Sequence, residues 1–183
     1  MPTFYLDIET TGLNPKKDKI ITIQYQELHR NTGEAIGELK ILKEWESSER
    51  DILERFIRES GIGDDHAFSF VPVGYNLGFE HNFFRERTAV HSLNPIDILF
   101  KPFLDLQVCG IIMNGGEFKG SGLDKITGKP HNGKIIPEWY ASKEFAKIEN
   151  YVTIEAQEFI KFNQWLYKEM PACLARFKET IGK

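Results

Sequence analysis

The chain has 183 residues, of which 41% are hydrophobic and 13% aromatic, and its formal net charge is −4. This length suits one domain with a substantial core, and the acidic balance argues against a protein that grips duplex nucleic acid over its whole surface. The start of the chain lacks a signal peptide, and no apolar run is long enough to span a bilayer. We therefore expect one cytoplasmic domain over residues 1–183, with no membrane partner.

The hydrophobic pattern predicts an alternation of strands and helices. In chain order we expect strands over 3–9, 19–28 and about 36–45, a helix that ends near Gly61, a strand over 68–73, a helix over about 78–90, a strand near 103–108 and a long helix over about 141–169. Ser48 and Asp51 fit a capping box at the start of the first helix. The first three strands form an antiparallel meander. Cys109 and Cys173 have apolar neighbours, so we expect both to be reduced core residues.

A basic, glycine-rich segment interrupts this pattern. Residues 115–134 hold six glycines and four lysines against two acids, with a short helix expected over 123–127. Two interpretations are open: a solvated loop, or a flap that faces phosphate beside an acidic site.

Acidic residues stand where an apolar core is expected. Asp7 and Glu9 lie on the same face of the first strand because side chains alternate across a strand. Glu155 lies on the apolar stripe of the last helix, one turn from Tyr151, and Glu80 follows a strand-to-helix junction. A wet polar face, or a salt bridge from Glu155 to a lysine or arginine, is one interpretation. The other is a divalent cation, which favours oxygen ligands.

Three motifs resemble those of the DEDD superfamily of 3′–5′ exonucleases. The run Leu-Asp-Ile-Glu-Thr-Thr-Gly-Leu at 6–13 resembles its first motif, and Asn76-x-x-Phe79-Glu80 is similar to its second. Tyr151-x-x-x-Glu155 resembles the third motif of the tyrosine subtype. The Val-Gly-Tyr-Asn at 73–76 looks closest to the exonuclease domains of family-B DNA polymerases. The resemblance implies an α/β fold of the ribonuclease H-like kind: a mixed five-stranded sheet, with three antiparallel strands first, flanked by helices.

The resemblance also implies a reaction. It is the metal-dependent hydrolysis of single-stranded nucleic acid, with DNA favoured, from the 3′ end to nucleoside 5′-monophosphates, with two Mg²⁺ or Mn²⁺ ions. The implied metal ligands are Asp7, which bridges both ions, Glu9 and Glu155 at the ion that activates water, and Glu80 at the second ion. The implied catalytic set adds Tyr151, which orients the attacking water. The implied substrate-binding residues are Thr10 and Leu13 at the terminal nucleotide, and Asn76 and Phe79, which support the pocket.

Two departures from the family pattern leave alternatives open. Glu80 and Glu155 stand where the family has aspartate, and each adds a methylene of about 1.5 Å. This shift suggests a preference for Mn²⁺ over Mg²⁺. The alternatives are a 3′–5′ exoribonuclease, a domain that binds nucleic-acid ends and cuts weakly, and a phosphatase that uses Asp7 as a covalent nucleophile. The expected partners are DNA or RNA 3′ ends, together with a polymerase or another replication or repair protein.

Overall fold

The computed structural model describes residues 2–64, 66–129 and 133–182, and a mixed five-stranded sheet forms its centre. The strands are β1 (Thr3–Thr10), β2 (Ile20–Leu28), β3 (Ala35–Lys43), β4 (Val71–Gly74) and β5 (Leu104–Asp105). Their order across the sheet is β3-β2-β1-β4-β5. β2 is antiparallel to both of its neighbours, whereas β4 is parallel to β1 and to β5. The predicted sheet, with its antiparallel meander first, is confirmed.

Helices cover both faces of the sheet. They are α1 (Glu49–Ser60), α2 (Gly78–Val90), α3 (Gln107–Met113), α4 (Leu123–Thr127), α5 (Ile136–Ala141) and α6 (Phe145–Thr180). Leu6 and Ile8 of β1 share one core with α1 and α2, whereas Tyr5 shares a second core with α6. Alternate residues of β1 therefore face different helices. In the described part of the chain, no helix combines the length and hydrophobicity that crossing a membrane requires.

Local sequence signals account for α1 and α2. The Ser48 hydroxyl accepts the Asp51 backbone N–H at 3.1 Å, and Gly61 ends α1 in the left-handed conformation with φ of 78°. Both features match the predicted cap and stop. α2 covers the same residues, 78–90, as the sequence predicts.

Three predicted elements differ from the structure. The strand expected over 68–73 begins only at Val71 and ends at Gly74. The strand near 103–108 has only two residues, because α3 begins at Gln107; a short apolar run does not distinguish a strand from a helix. The last helix begins at Phe145, after Lys143 takes a positive φ of 59°, and it continues to Thr180. It passes Pro171, which lies on the exposed end of the helix, although proline disfavours a helix interior.

The cysteines lie in different environments. Cys109 is half-buried and packs against the core below α6, as expected. Cys173 is also half-buried, but it lies near the exposed end of α6, where its Sγ is 3.1 Å from the Arg176 guanidinium. The prediction that Cys173 is a core residue is wrong, because it belongs to no core cluster and its neighbours along α6 are exposed.

A buried ion cluster ties α1 and α2 to the start of β2. The Glu49 carboxylate is 5% exposed and accepts hydrogen bonds from Arg87 at 2.8 and 2.6 Å, from His91 at 2.8 Å and from the Ile20 backbone N–H at 2.7 Å. Arg87 also reaches the Pro15 carbonyl at 3.4 Å, in the loop that follows β1. The cluster therefore anchors the connection between β1 and β2.

Replacing Arg87 tests this anchor. Arg87→Met leaves the buried Glu49 carboxylate without its strongest partner, so we expect it to lower the free energy of unfolding by about 3–5 kcal/mol. Urea unfolding followed by circular dichroism measures the change. The exposed Arg85→Met on the same helix is the matched control and should stay within about 0.5 kcal/mol of the wild type. Equal midpoints for the two variants would contradict the role of the cluster.

Candidate active site

Strand β1 and helix α6 bring three carboxylates together. Asp7 and Glu9 on β1 and Glu155 on α6 each place one oxygen within 4.8 Å of the oxygens of the other two. The sequence places Glu155 about 150 residues after the first two, so packing of α6 on the sheet creates the cluster.

Aromatic packing sets the register between the two elements. The ring centres of Tyr5 and Phe159 lie 4.9 Å apart. Tyr5 is two residues before Asp7 on β1, and Phe159 is one turn after Glu155 on α6. Two residues of a strand advance about 6.6 Å and four residues of a helix advance about 6 Å. Every second residue of β1 can therefore face every fourth residue of α6. At the far end, a β-carbon at position 133 would lie 3.6 Å from Glu9 Oε2 and 3.8 Å from the Tyr151 hydroxyl. The Tyr151 hydroxyl also interacts with the carboxylates of Glu155 and Glu9.

Glu80, in the first turn of α2, lines the same cavity as Asp7, Glu9 and Glu155, here called the acid cavity. Its side chain is 3% exposed, and Oε2 has no hydrogen-bond partner among the described residues. The turn before it is held by Asp105, whose carboxylate accepts the backbone N–H groups of Asn76 and Leu77, both at 2.9 Å. Glu80 lies outside the group of three within 4.8 Å, but its carboxyl interacts with that of Asp7.

Mutual repulsion and burial perturb these acids. Burial, together with the Glu155 charge, raises the pKa of Asp7 to about 7. Burial and the Glu155 charge also raise the pKa of Glu9, while burial and the Asp7 charge raise the pKa of Glu80. Burial and Glu155 raise the pKa of the Tyr151 hydroxyl, which therefore keeps its proton at neutral pH. Strongly perturbed groups that converge on a cavity are typical of functional sites.

One lysine, for which the sequence predicts no role, partly neutralises the acids. Lys129 Nζ donates to the Tyr151 hydroxyl at 2.8 Å and forms an ion pair with Glu155. Its charge opposes the rise in the pKa of Asp7 and Glu9. The predicted salt bridge from Glu155 to a lysine is thus present, and a divalent cation at Glu155 stays a prediction. Lys129 is one of four lysines in its segment, and no pattern singled it out.

The described part of segment 115–134 lies beside the acids. The cavity has a volume of about 320 Å³. From this segment, its lining includes Gly122, Leu123, Asp124, Lys129 and Gly133. The short helix expected over 123–127 is present as α4. Residues 130–132 lie outside the described residues. The segment thus lies beside the acids, as the flap interpretation requires, and its contact with phosphate stays a prediction.

The remaining predicted residues divide into two groups. Asn76 and Phe79 line the acid cavity. Thr10 and Leu13 do not: the Thr10 hydroxyl donates to the Gly12 carbonyl at 2.6 Å, and Leu13 is 85% exposed. Leu13 instead lines a neighbouring cavity of about 330 Å³, which shares Phe79 with the acid cavity.

The donor set fits divalent cations. Carboxylate oxygens are the ligands that Mg²⁺ and Mn²⁺ prefer, and the site gathers them from β1, α2 and α6. A buried carboxylate oxygen without a partner, such as Glu80 Oε2, carries a desolvation cost that a bound cation would remove. Asp7, Glu9, Glu80 and Glu155 are thus a chemically coherent ligand set.

Comparison with known proteins supports the predicted fold. A family model described as the RNase_H superfamily matches residues 4–129. The search of curated proteins returns no match. The zinc-bound form of the E. coli ExoI–ssDNA complex is similar to 93% of this chain at 14% identity, with a TM-score of 0.61. A moderately thermophilic exonuclease I from Methylocaldum szegediense is 14% identical over 60% of this chain, with a TM-score of 0.45.

The similarity covers only part of these larger proteins. The chain spans 41% of the E. coli chain and 29% of the Methylocaldum szegediense chain. At 14% identity the likeness to the E. coli protein shows the fold alone. Together with the family match, it confirms the ribonuclease H-like α/β fold.

The repulsion among the acids predicts a stabilising substitution. Because the folded-state pKa of Asp7 is raised from 3.8 to about 7, its contribution to stability is lost as pH rises through that interval. Asp7→Asn removes one charge, so we expect the melting temperature of the metal-free protein at pH 8 to rise by about 2–8 °C. The gain should shrink towards pH 4.

Scanning calorimetry in EDTA across this pH range measures the effect. Glu54→Gln, which removes an exposed carboxylate of α1, is the matched control and should leave the melting temperature nearly unchanged at both pH values. A lower melting temperature for Asp7→Asn at pH 8 would show that the Asp7 charge stabilises the metal-free site.

Proposed function

Because the chain belongs to the RNase_H superfamily, we propose that it is a metal-dependent 3′–5′ exonuclease acting on single-stranded nucleic acid, with nucleoside 5′-monophosphates as products. One observation carries the proposal: the oxygens of Asp7, Glu9 and Glu155 converge within 4.8 Å beside the partnerless Oε2 of Glu80. DNA is favoured over RNA because the similar E. coli structure is described as a complex with single-stranded DNA.

The four carboxylates would hold two divalent ions, Mg²⁺ or Mn²⁺. When bound, such ions supply an activated water and stabilise the charge of the leaving 3′ oxygen. Asp7 is central in the cluster and is the candidate to contact both ions, with Glu9 and Glu155 at one and Glu80 at the other. The longer glutamates at 80 and 155 favour Mn²⁺ over Mg²⁺, because Mg²⁺ demands near-ideal octahedral geometry.

Tyr151 has the position and protonation to orient a water molecule. Its hydroxyl stands beside Glu155 and, because burial raises its pKa, can donate a hydrogen bond at neutral pH. A group that fixes the position of a water molecule lowers the entropic part of the barrier. We assign Tyr151 this positioning of the nucleophile, with Glu155 as its neighbour on the same helix face.

The terminal nucleotide would occupy the acid cavity between Asn76 and Phe79. The exposed Leu13 borders the next cavity, so it is the candidate contact for the base of the terminal or penultimate nucleotide. Since the Thr10 hydroxyl already donates a hydrogen bond to the Gly12 carbonyl, Thr10 would contact the nucleotide through its backbone. A polymerase or another replication or repair protein stays a predicted partner.

An end-labelled strand tests the reaction. We expect a 5′-labelled single-stranded DNA to shorten from its 3′ end with Mn²⁺ or Mg²⁺, with release of nucleoside 5′-monophosphates, and a matched RNA to shorten more slowly. Asp7→Asn should lower the rate by at least about 10³-fold, since it removes a metal ligand, whereas Glu54→Gln should retain full activity. The products are resolved on a sequencing gel and by chromatography.

The alternatives have distinct signatures in the same assay. Binding of the strand without shortening in either ion would favour a domain that only holds nucleic-acid ends. Faster shortening of RNA would make the chain an exoribonuclease. Turnover of a simple phosphomonoester without nucleic acid would indicate a phosphatase that uses Asp7.

Tyr151→Phe tests the positioning of water. Loss of the hydroxyl should lower kcat by about 10²-fold, which is at the low end for groups that manage a proton of water. KM should change little, because the phenyl ring keeps the wall of the cavity. Tyr167→Phe, on the same helix but outside the acid cavity, is the control. An unchanged kcat for Tyr151→Phe would remove this residue from the reaction.

A further inference from the structure

A lysine side chain occupies the end of the acid cavity that Tyr151 and Glu155 form. The Lys129 side chain is only 6% exposed, and its Nζ is in contact with both the Tyr151 hydroxyl and the Glu155 carboxylate. The same nitrogen lies 4.8 Å from the centre of the Tyr151 ring, within range of a cation–π interaction. Lysine is rarely buried unless it is paired. Tyr151 and Glu155 therefore form a preorganised site for one positively charged group.

This cation is carried by a different part of the chain from the acids it neutralises. Lys129 directly follows Gly128, which ends α4 in the left-handed conformation with φ of 75°. The acids stand on β1, α2 and α6. The ammonium group also sits on a flexible four-carbon stem. It can therefore leave Glu155 while the sheet and α6 stay in place.

The ammonium group and a divalent ion exclude each other at Glu155. A carboxylate that holds both would bring two positive charges within a few ångströms inside a poorly solvated cavity, where Coulomb repulsion is strong. We propose that Lys129 competes with the divalent cation for Glu155. Its ammonium group contacts Glu155 in the metal-free chain and withdraws when metal binds. This inference rests on the proposed function, because that function makes Glu155 a metal ligand.

Competition gives the lysine two opposite effects. In the metal-free chain it offsets the repulsion among Asp7, Glu9 and Glu155, so its loss should reduce stability. During metal binding it must be displaced, so its loss should increase affinity. A lysine with a structural role alone would give only the first effect, and a lysine that holds Glu155 in place for the metal would lower affinity when removed.

Metal titration of charge variants separates these roles. We expect Lys129→Met to bind Mn²⁺ about tenfold more tightly than the wild type by isothermal titration calorimetry, and to melt at a lower temperature in EDTA. Lys125→Met is the matched control: it lies in the same segment, but its side chain is 69% exposed and it pairs with Asp124. It should match the wild type in both measurements. Equal or weaker Mn²⁺ binding by Lys129→Met would overturn the proposal.

Chemical labelling of the wild-type chain gives a second test that needs no variant. Acetylation followed by mass spectrometry should find Lys129 protected in EDTA, relative to the exposed Lys125. With saturating Mn²⁺, the reactivity of Lys129 should rise several-fold while that of Lys125 stays constant. Continued protection of Lys129 in the metal-saturated chain would overturn the proposal, as would the absence of Mn²⁺ binding.

Both tests are made without nucleic acid, so they are independent of cleavage. If the labelled DNA strand is not shortened while Lys129 exchanges with Mn²⁺ as expected, the proposed reaction is wrong and the competition stands. If the strand is shortened but Lys129 stays protected with metal bound, the reaction stands and the competition is wrong.

Discussion

The packing of one helix face against one strand face is the constraint on which the site depends. Its partners are Tyr5, Asp7 and Glu9 on β1 and Phe159, Glu155 and Tyr151 on α6. Strand residues two apart and helix residues four apart advance by nearly the same distance. The apolar contacts of α6 with the sheet, Tyr5–Phe159 among them, therefore set the position of every polar pair further along. A shift of α6 by one residue would rotate Glu155 away from the acids of β1.

The hydrophobic core compensates for the repulsion that this register creates. Several carboxylates share a cavity in which the described residues include one ammonium group in direct contact, that of Lys129. Each carboxylate is next to residues that bury apolar surface: Leu6 and Ile8 alternate with the acids of β1 and pack under α1 and α2. Burial of such side chains contributes about 1.5–3 kcal/mol each. The fold can therefore hold charges that would otherwise separate.

The sequence predicts the parts of this architecture that depend on local chemistry. The alternation in β1, the cap at Ser48 and the stop at Gly61 are local signals, and the structure contains all three. The end of α6 was not predictable in the same way, because a proline such as Pro171 favours a helix end by local rules and the helix nevertheless continues past it. The short β5 was also not predictable, since its apolar run continues into α3.

The residues of the candidate site are likewise predictable from the sequence only in part. Asp7, Glu9 and Glu155 stand out because charged residues in an apolar pattern are conspicuous, and Glu80 because it follows a strand-to-helix junction. The motif resemblance is what groups the four acids into one predicted site. The partner of Glu155 was not identified: Lys129 is 26 residues away in the chain, and its position depends on how α4 ends at Gly128. The exposure of Leu13 depends likewise on the path of the loop after β1. Contacts between distant segments have no periodic signature in one sequence.

The hydrogen bonds accepted by Asp105 give the outermost strand, β5, a role beyond pairing in the sheet. β5 pairs with β4 through only two residues, yet the carboxylate of Asp105 fastens the turn that leads into α2, with Asn76 in a left-handed conformation at φ of 67°. Damage at this edge of the sheet would therefore be transmitted to Glu80 although no acid of the cavity had been altered. Mutational sensitivity in this protein will follow the hydrogen-bonded chain of supports and not simple distance from the acids.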